Sequence, residues 1–165
     1  MEIELFDRRV TARPVLGPFA AAASAHAGRE LRLARVEPPE CAGGSHRVSI
    51  VSEASVEDVA RRGGREALDP RRFRMLVEVE GCGPYEEDRW SGRRVSLGEA
   101  VVRVGESIPR CVVTTLDPDS GRRDFRTLEV LAQHRKREGG LMLGVYGDVE
   151  VPGWVRVGDA VEPVE

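Results

Sequence analysis

The chain has 165 residues, enough for one domain with a real core and short for two independent ones. Its 25 basic and 28 acidic residues nearly cancel to a net charge of -3, with no block of like charge that marks a nucleic-acid-binding tail. No apolar run approaches bilayer-spanning length, and Met1-Glu2-Ile3-Glu4-Leu5 lacks the basic-then-apolar plan of a secretory signal. The expectation is a cytoplasmic protein whose partners include neither nucleic acid nor membrane.

Short apolar or alternating runs at residues 3–6, 31–36, 48–51, 73–79, 95–97, 101–104, 111–115, 143–149 and 154–157 predict strands. The alanine-rich stretch 14–28 reads as a short helix, and 37–44, with two prolines and two glycines, as an exposed loop. A helix is expected from the capping pattern Ser55-Val56-Glu57-Asp58, with Val56, Val59 and Ala60 on one stripe and Gly63-Gly64 as the stop. A second is expected over 127–137, with Leu128 and Leu131 inward, a basic last turn and Gly139-Gly140 after it. Turn chemistry at residues 81–84, 117–121 and 152–153 joins the strands into hairpins. The predicted architecture is mainly β, an antiparallel barrel with two or three short helices.

Lys136 is the only lysine, so the cations are guanidinium forks, suited to phosphate or carboxylate. Cys41, Cys82 and Cys111 are too scattered for a zinc site or a disulfide framework. Cys111 is the cysteine with chemistry beside it. Arg110 precedes it, a guanidinium favours the thiolate, and a thiolate is both a nucleophile and a soft-metal ligand; the alternative is a buried strand cysteine. Cys82 lies in a Gly-Cys-Gly-Pro turn, and Cys41 has no supporting neighbour. Glu86, Glu87 and Asp88 are consecutive, so their side chains diverge and do not form one acid–base centre; Trp90 reads as the anchor of that loop. His134 reads as a structural residue on an exposed helix end, and His26 has no charged partner. Neither an iron–sulfur spacing nor a Gly-x-Gly-x-x-Gly fingerprint is present, so redox chemistry would need an electron-donor protein.

Arg72-Phe73-Arg74, the run Tyr85 to Gly92, Pro109-Arg110-Cys111, Thr114 to Gly121, Leu143-Gly144-Val145-Tyr146, Pro152-Gly153 and Val157-Gly158-Asp159 occur in an order and spacing that resemble the MOSC family, over residues 45–161. The resemblance implies a MOSC-like β-barrel as a single domain, residues 1–165, with 1–44 a shortened N-terminal part. It is strongest to the molybdenum-binding branch, which includes the amidoxime-reducing component. That branch implies a molybdenum-pyranopterin dithiolene cofactor, and no pyridoxal phosphate, with Cys111 as the metal ligand. It further implies that Arg74, Arg110, Ser45 and His46 contact the cofactor and that Tyr146 stands near the metal. The implied activity is reduction of small N-hydroxylated or N-oxide substrates. A persulfide carrier using Cys111 and a non-catalytic cofactor-binding module are the alternatives. Two positions depart from the family: Arg74 is followed by Met75-Leu76 rather than Pro-Asn, and Pro109 replaces a small polar residue. The short N-terminal part leaves half of the family's pocket to Arg8, Arg9 and Arg13 or to a second copy in a homodimer. On residue type alone those three are solvated surface arginines.

Overall fold

The computed structural model describes residues 1–5, 8–37 and 48–164. The chain divides into two compact units, Met1–Ser45 and His46–Glu165. In the first, β1 (Glu2–Leu5), β2 (Arg8–Pro14) and β3 (Ala34–Val36) form an antiparallel sheet in that order, and α1 (Pro18–Ala27) joins the last two strands. Pro18 begins α1 and Gly28, in the left-handed region, ends it. Arg9 is exposed and Arg13 pairs with Glu37.

The second unit holds a curled, half-barrel sheet, and the protein is mainly β. Its strands are β4 (Val48–Ser52), β5 (Val77–Val79), β6 (Arg94–Leu97), β7 (Ala100–Pro109), β8 (Lys136–Arg137), β9 (Gly140–Val151) and β10 (Val161–Val164). The order across the sheet is β10-β6-β7-β9-β4-β5, with β8 paired to β9; β4–β5 is parallel and the other pairings are antiparallel. Helices α2 (Glu53–Arg62) and α3 (Thr127–His134) complete the unit. Among the described residues no helix is long and apolar enough to cross a membrane.

Two buried clusters form the core. Val48, Ile50, Val95, Leu97, Val102 and Val145 belong to one, and Trp90 anchors its loop there as expected. Val51, Val56, Val59, Phe73, Leu131 and Leu143 belong to the other, where α2 and α3 pack. Leu143 and Val145 are two residues apart and would share a face in a regular strand, yet they enter different clusters. The break falls at Gly144, with φ 75°, where an added Cβ would lie 2.7 Å from the Ile50 carbonyl oxygen and 2.5 Å from the Met75 methyl.

Several expected boundaries move. The helix expected at Ser55 begins at Glu53, because Ser52 Oγ accepts from the Ser55 amide at 3.1 Å. The strand expected over 73–79 begins at Val77, because Asp69 caps a 3-10 turn, Pro70–Phe73, and Arg74 at φ 52° ends it. Residues 111–115 are not a strand: Cys111 caps a 3-10 turn, Val112–Thr115. Residues 154–157 are loop. The second helix stops at His134 because Lys136 and Arg137 turn back to pair with Leu141 and Gly140. β10 was hidden by Pro163, which a strand tolerates only at an edge, where it lies.

Candidate functional site

Cys111 stands at the end of the long strand β7, where the chain leaves the sheet. Pro109 pairs with Met142, the Arg110 amide donates to the Leu141 carbonyl at 2.8 Å, and the thiol that follows is exposed. The 3-10 turn fixes the thiol's own residue: the Thr114 amide and Thr114 Oγ1 both donate to the Cys111 carbonyl, at 3.1 and 2.9 Å. Thr114 is itself held, its carbonyl accepting from Thr127 Oγ1 at 2.7 Å and from Arg72 Nη1 at 3.4 Å. Arg72 is buried and meets Asp124 through both terminal nitrogens, at 3.2 and 3.1 Å. An ion pair between buried Arg72 and the more exposed Asp124 therefore pins the turn that presents the thiol.

Arg110 turns the other way. Its Nη2 donates to the Phe73 carbonyl, its Nη1 reaches the Met75 sulfur at 3.4 Å, and its guanidinium lies over the Phe73 ring at 5.7 Å. Its Nε is buried without an acceptor, and among the described residues no carboxylate pairs with it. Burial pushes this guanidinium below its ordinary value, while the negative charges that Tyr146 and Cys111 carry when ionised pull it back. Cys111, Arg110 and Tyr146 thus share one neighbourhood. Tyr146 pairs with Ser49 across β9 and β4, and Ser49 Oγ accepts from the Leu76 amide at 3.0 Å, so the 73–76 segment closes the group.

Arg74 lies between Phe73 and Met75, the two residues that Arg110 touches; its side chain is exposed, off any strand. Ser45, His46 and Cys41 lie outside the described residues. Phe73 and Met75, which sequence reasoning did not assign to the site, form its floor, and Arg72, Thr114, Asp124 and Thr127 brace it. The Arg72-Phe73-Arg74 motif was the available signal; the Asp124 and Thr127 contacts span too much sequence to be read from spacing.

The three consecutive acids diverge. Glu87 is buried and accepts from Ser55 Oγ at 2.8 Å, Asp88 receives Arg135 and Arg137 at 2.6 and 2.9 Å, and Glu86 accepts from the Gly83 amide at 2.8 Å. His134 is less exposed than its helix end suggested: Nε2 lies 2.8 Å from Tyr85 Oη, which also donates to Asp58 at 2.7 Å. Burial, then Arg62, pushes its imidazole below the ordinary value. Cys82 is half-buried, and burial with Glu87 and Glu86 beside it raises its thiol, the opposite of activation.

Fold and site together define a β-rich domain that presents an exposed thiol beside a half-buried arginine with no carboxylate partner among the described residues. The model of the MOSC domain matches residues 26–162, and the chain belongs to that family. It is 36% identical over 121 residues to mitochondrial amidoxime-reducing component 1 of Mus musculus, covering 68% of this chain and 35% of the relative. Mitochondrial amidoxime reducing component 2 of Rattus norvegicus is 33% identical over 132 residues, 74% of this chain and 37% of the relative. A molybdenum cofactor sulfurase of Oryza sativa subsp. japonica is 29% identical over 134 residues, 69% of this chain and 16% of that protein. The chain thus spans little more than a third of its amidoxime-reducing relatives. The crystal structure of YiiM from Geobacillus stearothermophilus superposes with a TM-score of 0.54 at 17% identity, covering 94% of this chain and 72% of that one, and shows the same fold.

Proposed function

We propose that this protein binds a molybdenum-pyranopterin cofactor through Cys111 and, supplied with electrons by a redox partner protein, reduces small N-hydroxylated or N-oxide substrates. The observation that carries it is the half-buried Arg110 guanidinium, with a buried, orphaned Nε and no carboxylate partner among the described residues, directly before an exposed thiol. A buried cation left without a counter-ion is costly, and an anionic ligand offsets that cost. The phosphate of a pterin cofactor is such an anion, and guanidinium forks suit it.

The residues present fit the group. Cys111 supplies a soft thiolate, and since the described residues hold no cluster of three or more His, Cys, Asp or Glu ready for a metal ion, the remaining coordination would come from the dithiolene. Arg110 and Arg74 would contact its anionic portion, with Ser45 and His46 on the pterin. When bound, the group supplies two-electron oxygen transfer: the substrate N–O bond breaks, and two electrons from the partner and two protons release the oxygen as water. The chain's own part is positional. Thr114 holds the Cys111 carbonyl, which fixes where the thiolate points, and Tyr146 Oη orients substrate or water by hydrogen bonding. No side chain acts as a nucleophile.

The test is metal analysis of the wild type and Cys111→Ala made in a cofactor-producing host, followed by conversion of benzamidoxime to benzamidine with a chemical reductant. Stoichiometric molybdenum and turnover in the wild type only are expected. Equal molybdenum in both proteins would remove the ligand assignment. The sulfurase relatives and the exposure of Cys111 favour one second reading, sulfur carriage. It is distinguished by a persulfide mass adduct on Cys111 after incubation with a cysteine desulfurase, in protein that holds no molybdenum.

A further inference from the structure

Of the chain's three methionines, Met1 is 58% exposed at the terminus, Met142 is buried at 7%, and Met75 is half-buried between the exposed Arg74 and Leu76. The Met75 sulfur faces a cation, accepting from Arg110 Nη1 at 3.4 Å. It is held there from both sides. Its terminal methyl occupies the space that a side chain at Gly144 would need, 2.5 Å from the place of a Cβ, and the Leu76 amide on Ser49 Oγ ties the next residue to β4.

A guanidinium has five N–H donors, and a thioether is a weak acceptor. Among the described residues the side chain of Arg110 meets only that thioether and the Phe73 carbonyl, and its Nε is buried without an acceptor. A strongly polar oxygen set beside it would answer that deficit. Oxidation of methionine to the sulfoxide makes such an oxygen in place. A hydroperoxide, ROOH, supplies it: the sulfur lone pair attacks the terminal oxygen, an S–O bond forms as the O–O bond breaks, the hydroxyl proton passes to the departing oxygen, and ROH leaves. Sulfur gives up two electrons and the peroxide takes them. The Arg110 N–H that rests on the sulfur is placed to donate to the new oxygen as it becomes negative.

We propose that Met75 is a reversible oxidation site whose sulfoxide oxygen caps the Arg110 guanidinium and so closes it to an anionic ligand. That Arg110 holds the cofactor's phosphate rests on the function proposed above; the cap itself does not. To test it, protein free of cofactor is treated with limiting hydrogen peroxide, its thiols are restored with dithiothreitol, and peptide mass spectrometry locates the added oxygen. Met75 is expected to be oxidised well before Met142. Calorimetry with inorganic phosphate is expected to show binding that weakens about tenfold on oxidation, returns after methionine sulfoxide reductase, and is indifferent to peroxide in Met75→Leu. Thermal unfolding separates the cap from the anion site. A sulfoxide against the core ordinarily destabilises, so oxidation should lower the melting temperature by about 3 °C more in Arg110→Leu, which has nothing to cap, than in the unsubstituted chain. Equal losses in the two proteins, or Met142 oxidised as fast as Met75, would overturn the proposal, as would a phosphate affinity that oxidation leaves unchanged. If the unoxidised protein binds no phosphate, the anion reading of Arg110 falls and the melting comparison alone decides the cap.

Discussion

Arg72 and Arg110 are the same side chain in nearly the same setting. Each guanidinium lies over a phenylalanine, at 5.6 Å from Phe125 and 5.7 Å from Phe73, and each buries an Nε without an acceptor. Arg72 meets a carboxylate through both terminal nitrogens, whereas Arg110 meets a carbonyl and a thioether. The first charge is neutralised and braces the Cys111 turn. The second is stable only because the fold tolerates a desolvated charge there. Arg72 is the more deeply buried of the two, and among the described residues its carboxylate partner is what sets it apart from Arg110.

That contrast can be broken by experiment. Asp124→Asn strands the Arg72 charge and is expected to cost about 3 kcal/mol in urea unfolding; a loss under about 1 kcal/mol would show that the pair braces little. Asp58 is a second test of what pairing does. Burial would raise its carboxyl, but hydrogen bonds from Arg62 and Tyr85 and the charges of Arg62 and Arg61 hold it below the ordinary range. Because the folded carboxyl titrates below its unfolded counterpart, its contribution is complete above about pH 4 and is lost as pH falls through the folded value. Asp58→Asn should therefore cost about 2 kcal/mol at pH 7 and progressively less in acid. An equal cost at both ends of the range would show that its charge is not what matters.

Arg110→Met inverts the sign. In protein without cofactor it is expected to leave stability unchanged or raise it by about 1 kcal/mol, since a buried charge is replaced by an apolar chain, while molybdenum retention falls. A destabilisation as large as that of Asp124→Asn would make the two arginines equivalent braces. Cys111→Ala sharpens the comparison at its smallest effect. The thiol is exposed, so thermal unfolding should change by less than about 0.5 kcal/mol while the metal is lost.

The sequence announced the strands whose residues alternate or run apolar, and α2, whose stripe and stop are local. It misled where a local preference lost to capping: Cys111 to Thr115 is β-branched and apolar, yet the threonine hydroxyls fold back on the carbonyls three residues before them and make a turn. Arg74 fell within the strand expected over 73–79 because nothing in its neighbours signals a left-handed backbone. Of the candidate site, Arg110 and Cys111 adjoin in one motif and Tyr146 stands in another, and the structure sets Tyr146 and Cys111 beside Arg110. Their floor was not legible, since Phe73 and Met75 reach Arg110 across more than thirty residues, a distance that only the closed sheet removes.

The change of face at Gly144 sets the phase of everything after it in β9. Upstream, Leu141 and Leu143 look toward the helices; downstream, Val145 looks into the curl of the sheet, and Tyr146, its neighbour, looks out toward Arg110. A side chain at position 144 meets the Ile50 backbone, which has no room to retreat, so the chain would straighten and the odd and even positions beyond it would exchange roles. Libraries randomised at this position should return glycine almost alone, and in any survivor Tyr146 would be the residue that has left its place.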